Sequence, residues 1–136
     1  MTEALDALFA AARDAREKAY APYSRFKVGA ALRGVSGRIY AGCNVENAAY
    51  PVGTCAEAGA IAAMIAGGET RIAEALVLAD SPEPVTPCGA CRQRLAEFAG
   101  LDTPVHSAGE TGLRVTFTLQ ELLPYGFGPG MMEQRS

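Results

Sequence analysis

The sequence predicts an α/β domain with a five-stranded mixed sheet, helices on both faces and the last two strands antiparallel. Three observations carry this. Helix-like and strand-like runs follow the order α-β-β-α-β-α-β-β-α, and the strand–helix–strand alternation in the middle calls for a parallel portion covered by helices. The last two strand-like runs are joined by only about five residues, whereas a parallel crossover needs about a dozen or more, so that pair is expected to be antiparallel. The length of 136 residues suits one hydrophobic core, so residues 1–136 are expected to form a single domain.

Each element has a local reason. Thr2 can cap a helix over residues 3–19, where Leu5, Leu8, Phe9 and Ala12 form one apolar stripe and charges take the other face. Pro22 breaks the pattern between Tyr20 and Ser24. Val28, Ala30 and Leu32 alternate, residues 34–37 turn the chain, and residues 39–43 return it, which reads as a β-hairpin. Gly29 inside that strand points to close approach by another backbone or a ligand. Residues 44–53 are polar and irregular and lead into a helix that starts at Cys55, carries Ala, Ile and Met on most faces, and ends at Gly67-Gly68. Residues 72–80 form an apolar strand, and the three prolines of residues 81–87 require a loop. A further helix runs from Cys88 to about Ala99 with Gly100 as its C-cap. Strands follow over residues 104–107 and 113–118, Thr118 caps a short helix through Leu123, and residues 124–136 form a Gly- and Pro-rich tail.

Composition excludes several classes. The formal net charge is −3 and no long basic run is present, which argues against a dedicated surface for a nucleic acid polymer. No stretch is long and apolar enough to span a membrane. No secretory leader is visible, because Met1-Thr2-Glu3 is acidic and no apolar run follows. The four cysteines are therefore expected to be reduced thiols of a cytoplasmic protein.

The chemistry gathers at two short stretches about thirty residues apart. The first is Thr54-Cys55-Ala56-Glu57 and the second is Thr86-Pro87-Cys88-Gly89-Ala90-Cys91-Arg92-Gln93. Each opens a helix-like run, and a helix N-terminus favours the thiolate that binds metal. Cys88 and Cys91 are spaced i, i+3, so one helix can aim both sulfurs at one point. Cys55 can supply a third ligand, and three protein ligands leave one corner of a tetrahedral zinc open, the mark of a catalytic site. Glu57 is close enough to reach that corner. A lone Cys88–Cys91 pair would also fit a redox couple, a disulfide or half of a structural zinc site. The third cysteine, the glutamate and the flanking residues together favour catalytic zinc. Cys43 reads as a small core residue, and His106, the only histidine, as an ordinary strand residue.

Cys-Ala-Glu followed by Pro-Cys-x-x-Cys resembles the zinc-dependent cytidine deaminases. The resemblance continues through Phe26-Lys27-Val28-Gly29-Ala30-Ala31-Leu32, Gly42-Cys43-Asn44-Val45-Glu46-Asn47 and Glu121-Leu122-Leu123-Pro124, in family order, over roughly residues 15–128. It implies the family's three-layer α/β/α arrangement. The antiparallel final pair is similar to that of members acting on free nucleosides; polynucleotide-editing relatives insert a helix there. It implies one zinc per chain on Cys55, Cys88 and Cys91, with Glu57 moving protons while a cytosine ring loses its amine and becomes uracil. Asn44 and Glu46 match positions that hold ribose hydroxyls, Phe26 an aromatic that packs on the base, and Ala56 and Thr86 positions whose backbone groups recognise it. Tyr50 and Phe127 resemble residues that reach a neighbouring subunit's site in a homotetramer, which would put the tail at an interface. One departure is visible. Many three-cysteine members place Arg directly after the glutamate to offset the thiolate charge; here Ala58 stands there, and Arg92 is the nearest substitute in sequence. The expected activity is conversion of cytidine and deoxycytidine to uridine and deoxyuridine in pyrimidine salvage. A deaminase of a cytosine nucleoside analogue such as blasticidin S, and a non-catalytic zinc or thiol-redox module, are the alternatives.

Overall fold

The computed structural model describes residues 2–132; residues 133–136 of the tail lie outside the described part. The elements are α1 (Glu3–Glu17), β1 (Val28–Gly34), β2 (Ile39–Cys43), α2 (Ala56–Ala66), β3 (Ile72–Ala79), α3 (Gly89–Phe98), β4 (Pro104–Gly109), β5 (Gly112–Thr118) and α4 (Leu119–Leu122), with 3₁₀ turns at Tyr50–Val52 and Pro129–Met132. The element order is the one the sequence predicts. The strands form one sheet in the order β2-β1-β3-β4-β5. β1 pairs antiparallel with both β2 and β3, β3 pairs parallel with β4, and β4 pairs antiparallel with β5. The parallel portion is thus the single pair that α3 connects.

Alternation along β1 divides the core. Ala30 and Leu32 pack with Ala56, Ala60, Met64 and Leu95 on the face covered by α2 and α3. Ala31 points the other way, where Leu8, Phe9 and Ala12 of α1 meet Leu76 and Leu78 of β3. Helices therefore cover both faces, in three layers. Two glycines allow the helices to sit this close. A Cβ on Gly29 would lie 2.0 Å from the Ala12 carbonyl oxygen of α1. A Cβ on Gly42 would lie 2.3 Å from the Ala60 nitrogen of α2.

The local signals hold at both ends of the chain. The Thr2 hydroxyl accepts from the Leu5 N–H, and Thr118 with Glu121 forms a reciprocal capping box at α4. Two details differ from the sequence reading. The C-cap of α3 is Ala99 in an extended conformation rather than Gly100, which instead accepts from the Thr103 N–H in the turn before β4. Cys43 is half-buried on β2, an edge strand with no fully buried residue, so it is not a core residue. The apolar helix α2 buries Ala60, Ile61 and Met64 against the sheet and leaves Ala62 and Ile65 exposed among the described residues. His106 is buried between Thr116 Oγ1, 2.8 Å from Nδ1, and Glu74 Oε2, 2.9 Å from Nε2, as an ordinary structural histidine.

Candidate active site and metal centre

The starts of α2 and α3 converge on one point. Cys55 is the N-cap of α2 and Cys88 the N-cap of α3, both extended, while Cys91 lies in the first turn of α3. Neither cap side chain is spent on capping its helix, so both sulfurs stay available beside the positive ends of two helix dipoles. The three Sγ atoms lie within 4.8 Å of one another, and Cys55 and Cys88 are 3.7 Å apart. Tetrahedral zinc with Zn–S bonds of about 2.3 Å separates its sulfurs by about 3.8 Å. The donor set therefore fits zinc: three sulfurs gathered at one point, one pair already at the spacing of a tetrahedral edge, with no disulfide among them.

The three thiols differ in their protonation energetics. Burial pushes the Cys55 and Cys91 thiols up. Burial acts on Cys88 too, but hydrogen bonds with the Cys91 N–H and with the Cys55 and Cys91 thiols outweigh it and hold Cys88 below the usual thiol value. Three thiolates packed this closely need a dication, and a coordinating thiol is deprotonated outright. Glu57, in the first turn of α2, is only 4% exposed. Burial raises its carboxyl above the usual range, against smaller opposing effects from its own N–H, the Cys91 thiol and the Arg94 charge. A buried carboxylate with raised basicity suits a group that accepts and returns a proton.

A cavity of about 630 Å³ opens over these groups, and Cys55, Glu57 and Cys88 line it. That is the size of a small-molecule site. Cys91 is fully buried behind it. Phe26, Asn44, Glu46, Tyr50, Ala56 and Thr86 line the same cavity, so nearly all the residues singled out from sequence meet there. Asn44 is held at both ends of its amide: Oδ1 accepts from the Val28 N–H at 2.8 Å, and Nδ2 donates to the Phe26 carbonyl at 2.8 Å. Glu46 accepts from the Tyr23 and Ser24 N–H groups and from the Ser24 hydroxyl. The Ser24 hydroxyl is the main reason its carboxyl sits below the usual range. Asn44 and Glu46 thus fix the loop that carries Phe26, and each keeps a donor or lone pair facing the cavity. Tyr50 is 75% exposed at the mouth and meets Tyr23 edge-on at 5.9 Å between ring centroids. Phe127 lies outside the cavity, 55% exposed, with its carbonyl accepting from Gln93 Nε2 at 2.7 Å.

The structure corrects the role expected of Arg92. Its guanidinium donates to the Pro87 carbonyl at 2.8 Å, the Leu122 carbonyl at 2.8 Å and Thr86 Oγ1 at 3.0 Å. It braces the loop that delivers Thr86 and Cys88 and makes no hydrogen bond to a sulfur. Arg94 does: Nη1 donates to Cys91 Sγ at 3.3 Å. The reason is helical geometry. A residue one step from Cys91 is rotated about 100° away from it, whereas a residue three steps on lies on the same face. That i, i+3 spacing is a signal present in the sequence. Tyr23 and Ser24 had no such signal, since their bonds to Glu46 join residues more than twenty positions apart.

Residues 2–106 match the family model described as "Cytidine and deoxycytidylate deaminase zinc-binding region". The chain is 44% identical over 123 residues to a cytidine deaminase of Sporosarcina psychrophila, covering 90% of each protein. It is 45% identical over 113 residues to a cytidine deaminase of Halalkalibacterium halodurans, covering 83% of this chain and 86% of that one. The crystal structure of a cytidine deaminase from Burkholderia pseudomallei superposes with a TM-score of 0.84 at 42% identity, over 93% of this chain and all of that one.

Proposed function

The chain belongs to the zinc-dependent cytidine deaminase family, and from that premise we propose that it hydrolyses cytidine and deoxycytidine to uridine and deoxyuridine with release of ammonia. The observation that carries this reading is the convergence of Cys55, Cys88, Cys91 and the buried Glu57 at the floor of a cavity sized for a nucleoside. Cys55, Cys88 and Cys91 would hold one zinc per chain, which when bound would supply the Lewis acidity that makes water a nucleophile at neutral pH.

Glu57 takes the proton of the attacking water as oxygen adds to C4 of the ring. It passes that proton to ring N3, then takes the proton of the new C4 hydroxyl and delivers it to the leaving amine, so one carboxylate serves every transfer. Water is consumed, the C–N bond breaks, and the ring gains a carbonyl. Backbone groups of Ala56 and Thr86 recognise the base, Phe26 packs on it, and Asn44 and Glu46 hold the ribose hydroxyls. The rigid bonds that Asn44 and Glu46 already make within the loop support this, because a preset polar rim orients a substrate at low entropic cost.

The natural setting proposed is pyrimidine salvage in the cytoplasm. Assembly is proposed to be a homotetramer, with Tyr50 and Phe127 reaching neighbouring sites and the tail at an interface. The support is apolar surface: Ile65 on α2, and Tyr125, Phe127, Met131 and Met132 in the tail, are all exposed in the single chain. No helix among the described residues is long and apolar enough to cross a membrane.

The test is ultraviolet loss of cytidine with parallel ammonia detection, run over a nucleoside panel on protein of known zinc content and with mass by light scattering. Turnover of cytidine and deoxycytidine by protein carrying about one zinc per chain is expected. Zinc-loaded protein inert on both, but active on an analogue, would overturn the substrate assignment. A fully active monomer would overturn the shared site alone.

A further inference from the structure

We propose that Arg94 carries the cation that offsets the thiolate cluster, hydrogen-bonded directly to Cys91 across one turn of α3. The inference rests on the reading that Cys55, Cys88 and Cys91 hold zinc. Three thiolates around a dication leave one net negative charge, and the Glu57 carboxylate beside them adds another. Cys91 is fully buried and Glu57 nearly so, so water screens this charge poorly from their side. Some fixed positive group has to face it.

Among the described residues, Arg94 is the one cationic side chain hydrogen-bonded to a cysteine sulfur, at 3.3 Å. Three other arginines among the described residues are committed elsewhere. Arg92 is spent on two carbonyls and the Thr86 hydroxyl, Arg33 pairs with Glu74, and Arg16 pairs with Glu110. No carboxylate among the described residues lies within ion-pair distance of Arg94, although Glu97 lines the same shallow cleft. The guanidinium is therefore committed to the sulfur.

Arg94 does not line the substrate cavity; it lines a separate cleft together with Ala58, Ile61 and Ala62 of α2. The small Ala58 side chain, one residue after Glu57, leaves the cleft open along α2. The same space could be filled from the other helix. A long cationic side chain at position 58 would start from the first turns of α2 and enter the cleft that Arg94 now occupies. Ala58 and Arg94 are thus two alternative origins for one charge.

Arg94 acts through Cys91 and is a positioning residue for the metal site rather than a catalytic one. Removing a hydrogen-bond partner of a metal ligand typically costs about 10–100-fold in metal affinity. The test compares wild type, Arg94→Gln, Arg94→Lys and the double variant Ala58→Arg/Arg94→Gln. Zinc dissociation constants are measured by competition with a chromogenic chelator, and sulfur-to-cobalt charge-transfer bands on the cobalt-substituted proteins. Arg94→Gln is expected to weaken zinc binding about 10–100-fold and to move the charge-transfer band to lower energy, because the unbonded sulfur is more electron-rich. Arg94→Lys should fall between, and the double variant should recover much of the affinity. If Arg94→Gln binds zinc as wild type does with an unmoved band, the proposal is overturned and the zinc site stands. Should Arg94→Gln not fold, a band in Arg94→Met identical to wild type overturns it equally. A wild-type protein that binds no zinc would overturn the metal reading itself, and this proposal with it.

Discussion

Gly42→Ala isolates how the sheet positions the catalytic helix. Gly42 lies on β2 opposite Ala30, and its Cα faces the backbone of α2. A Cβ there would stand 2.3 Å from the Ala60 nitrogen, 2.6 Å from the Ala56 carbonyl oxygen and 2.7 Å from the Gly59 carbonyl carbon. All three are backbone atoms, so no rotamer change relieves the clash. Reaching an ordinary contact requires β2 and α2 to separate by about 1 Å. Overpacking of this kind costs about 1–3 kcal/mol, which for a domain of this size lowers the melting temperature by roughly 4–12 °C. The displaced helix carries Cys55 at its N-cap and Glu57 in its first turn. A misplacement of about 1 Å at a catalytic group costs on the order of 10²-fold in rate, so kcat should fall by about that factor even where the variant folds. Gly59→Ala is the control. Its added Cβ would meet nothing outside its own helix closer than 3.5 Å, and Ala in a helix interior is favoured over Gly by about 0.5–1 kcal/mol. Melting curves at fixed protein concentration, zinc content and cytidine turnover of both variants form the assay. If Gly42→Ala melts with wild type and turns over normally, or if Gly59→Ala is equally damaged, close seating of α2 on β2 does not position the site.

Other outcomes follow from named contacts. Glu57→Gln should retain zinc and fold but lose kcat by at least about 10²–10⁴, the range typical of one acid–base group; near-normal turnover would remove Glu57 from the reaction. Asn44→Asp keeps the acceptor for the Val28 N–H but turns a lone pair toward the Phe26 carbonyl, which now accepts from Nδ2. That change should destabilise the protein by about 1–3 kcal/mol and raise KM, and a KM equal to wild type would separate Asn44 from the substrate. Ser24→Ala tests the acid side. The folded-state pKa of Glu46 is depressed, chiefly by the Ser24 hydroxyl, so its stabilising contribution is present above the unfolded value of 4.5 and is lost as pH falls through the depressed folded value. Removing the hydroxyl brings the folded value back toward the unfolded one, so the variant should melt below wild type above pH 4.5, and the gap should close as pH falls below it. Melting temperatures that track wild type across pH 3–6, on either side of that value, would show that Ser24 does not hold Glu46 ionised.

Much of the fold was legible because its signals are local. The Thr2 and Thr118 caps, the hairpin over residues 28–43 and the breaks at the prolines each depend on residues a few positions apart. The antiparallel β4–β5 pair followed from connection length alone. The metal site was legible for the same reason. Cys88 and Cys91 share a helix turn, Cys55 and Glu57 share another, and a thiolate triplet beside a carboxylate has few chemical uses other than holding zinc.

By itself, then, the sequence determined the three-cysteine cluster with its neighbouring glutamate, the element order and the family. The tertiary structure decided which neighbours those groups have. It turned Arg92 toward the Thr86–Pro87 loop and Arg94 toward Cys91, put Tyr23 and Ser24 against Glu46, and left Cys43 on an open edge. It also set α2 on the bare backbone of Gly42. The physical reason is range. Periodicity, capping and ligand spacing act within a turn or two of the chain. Hydrogen bonds between segments twenty or more residues apart, and the direction in which a long guanidinium is spent, depend on which surfaces the packed layers bring together.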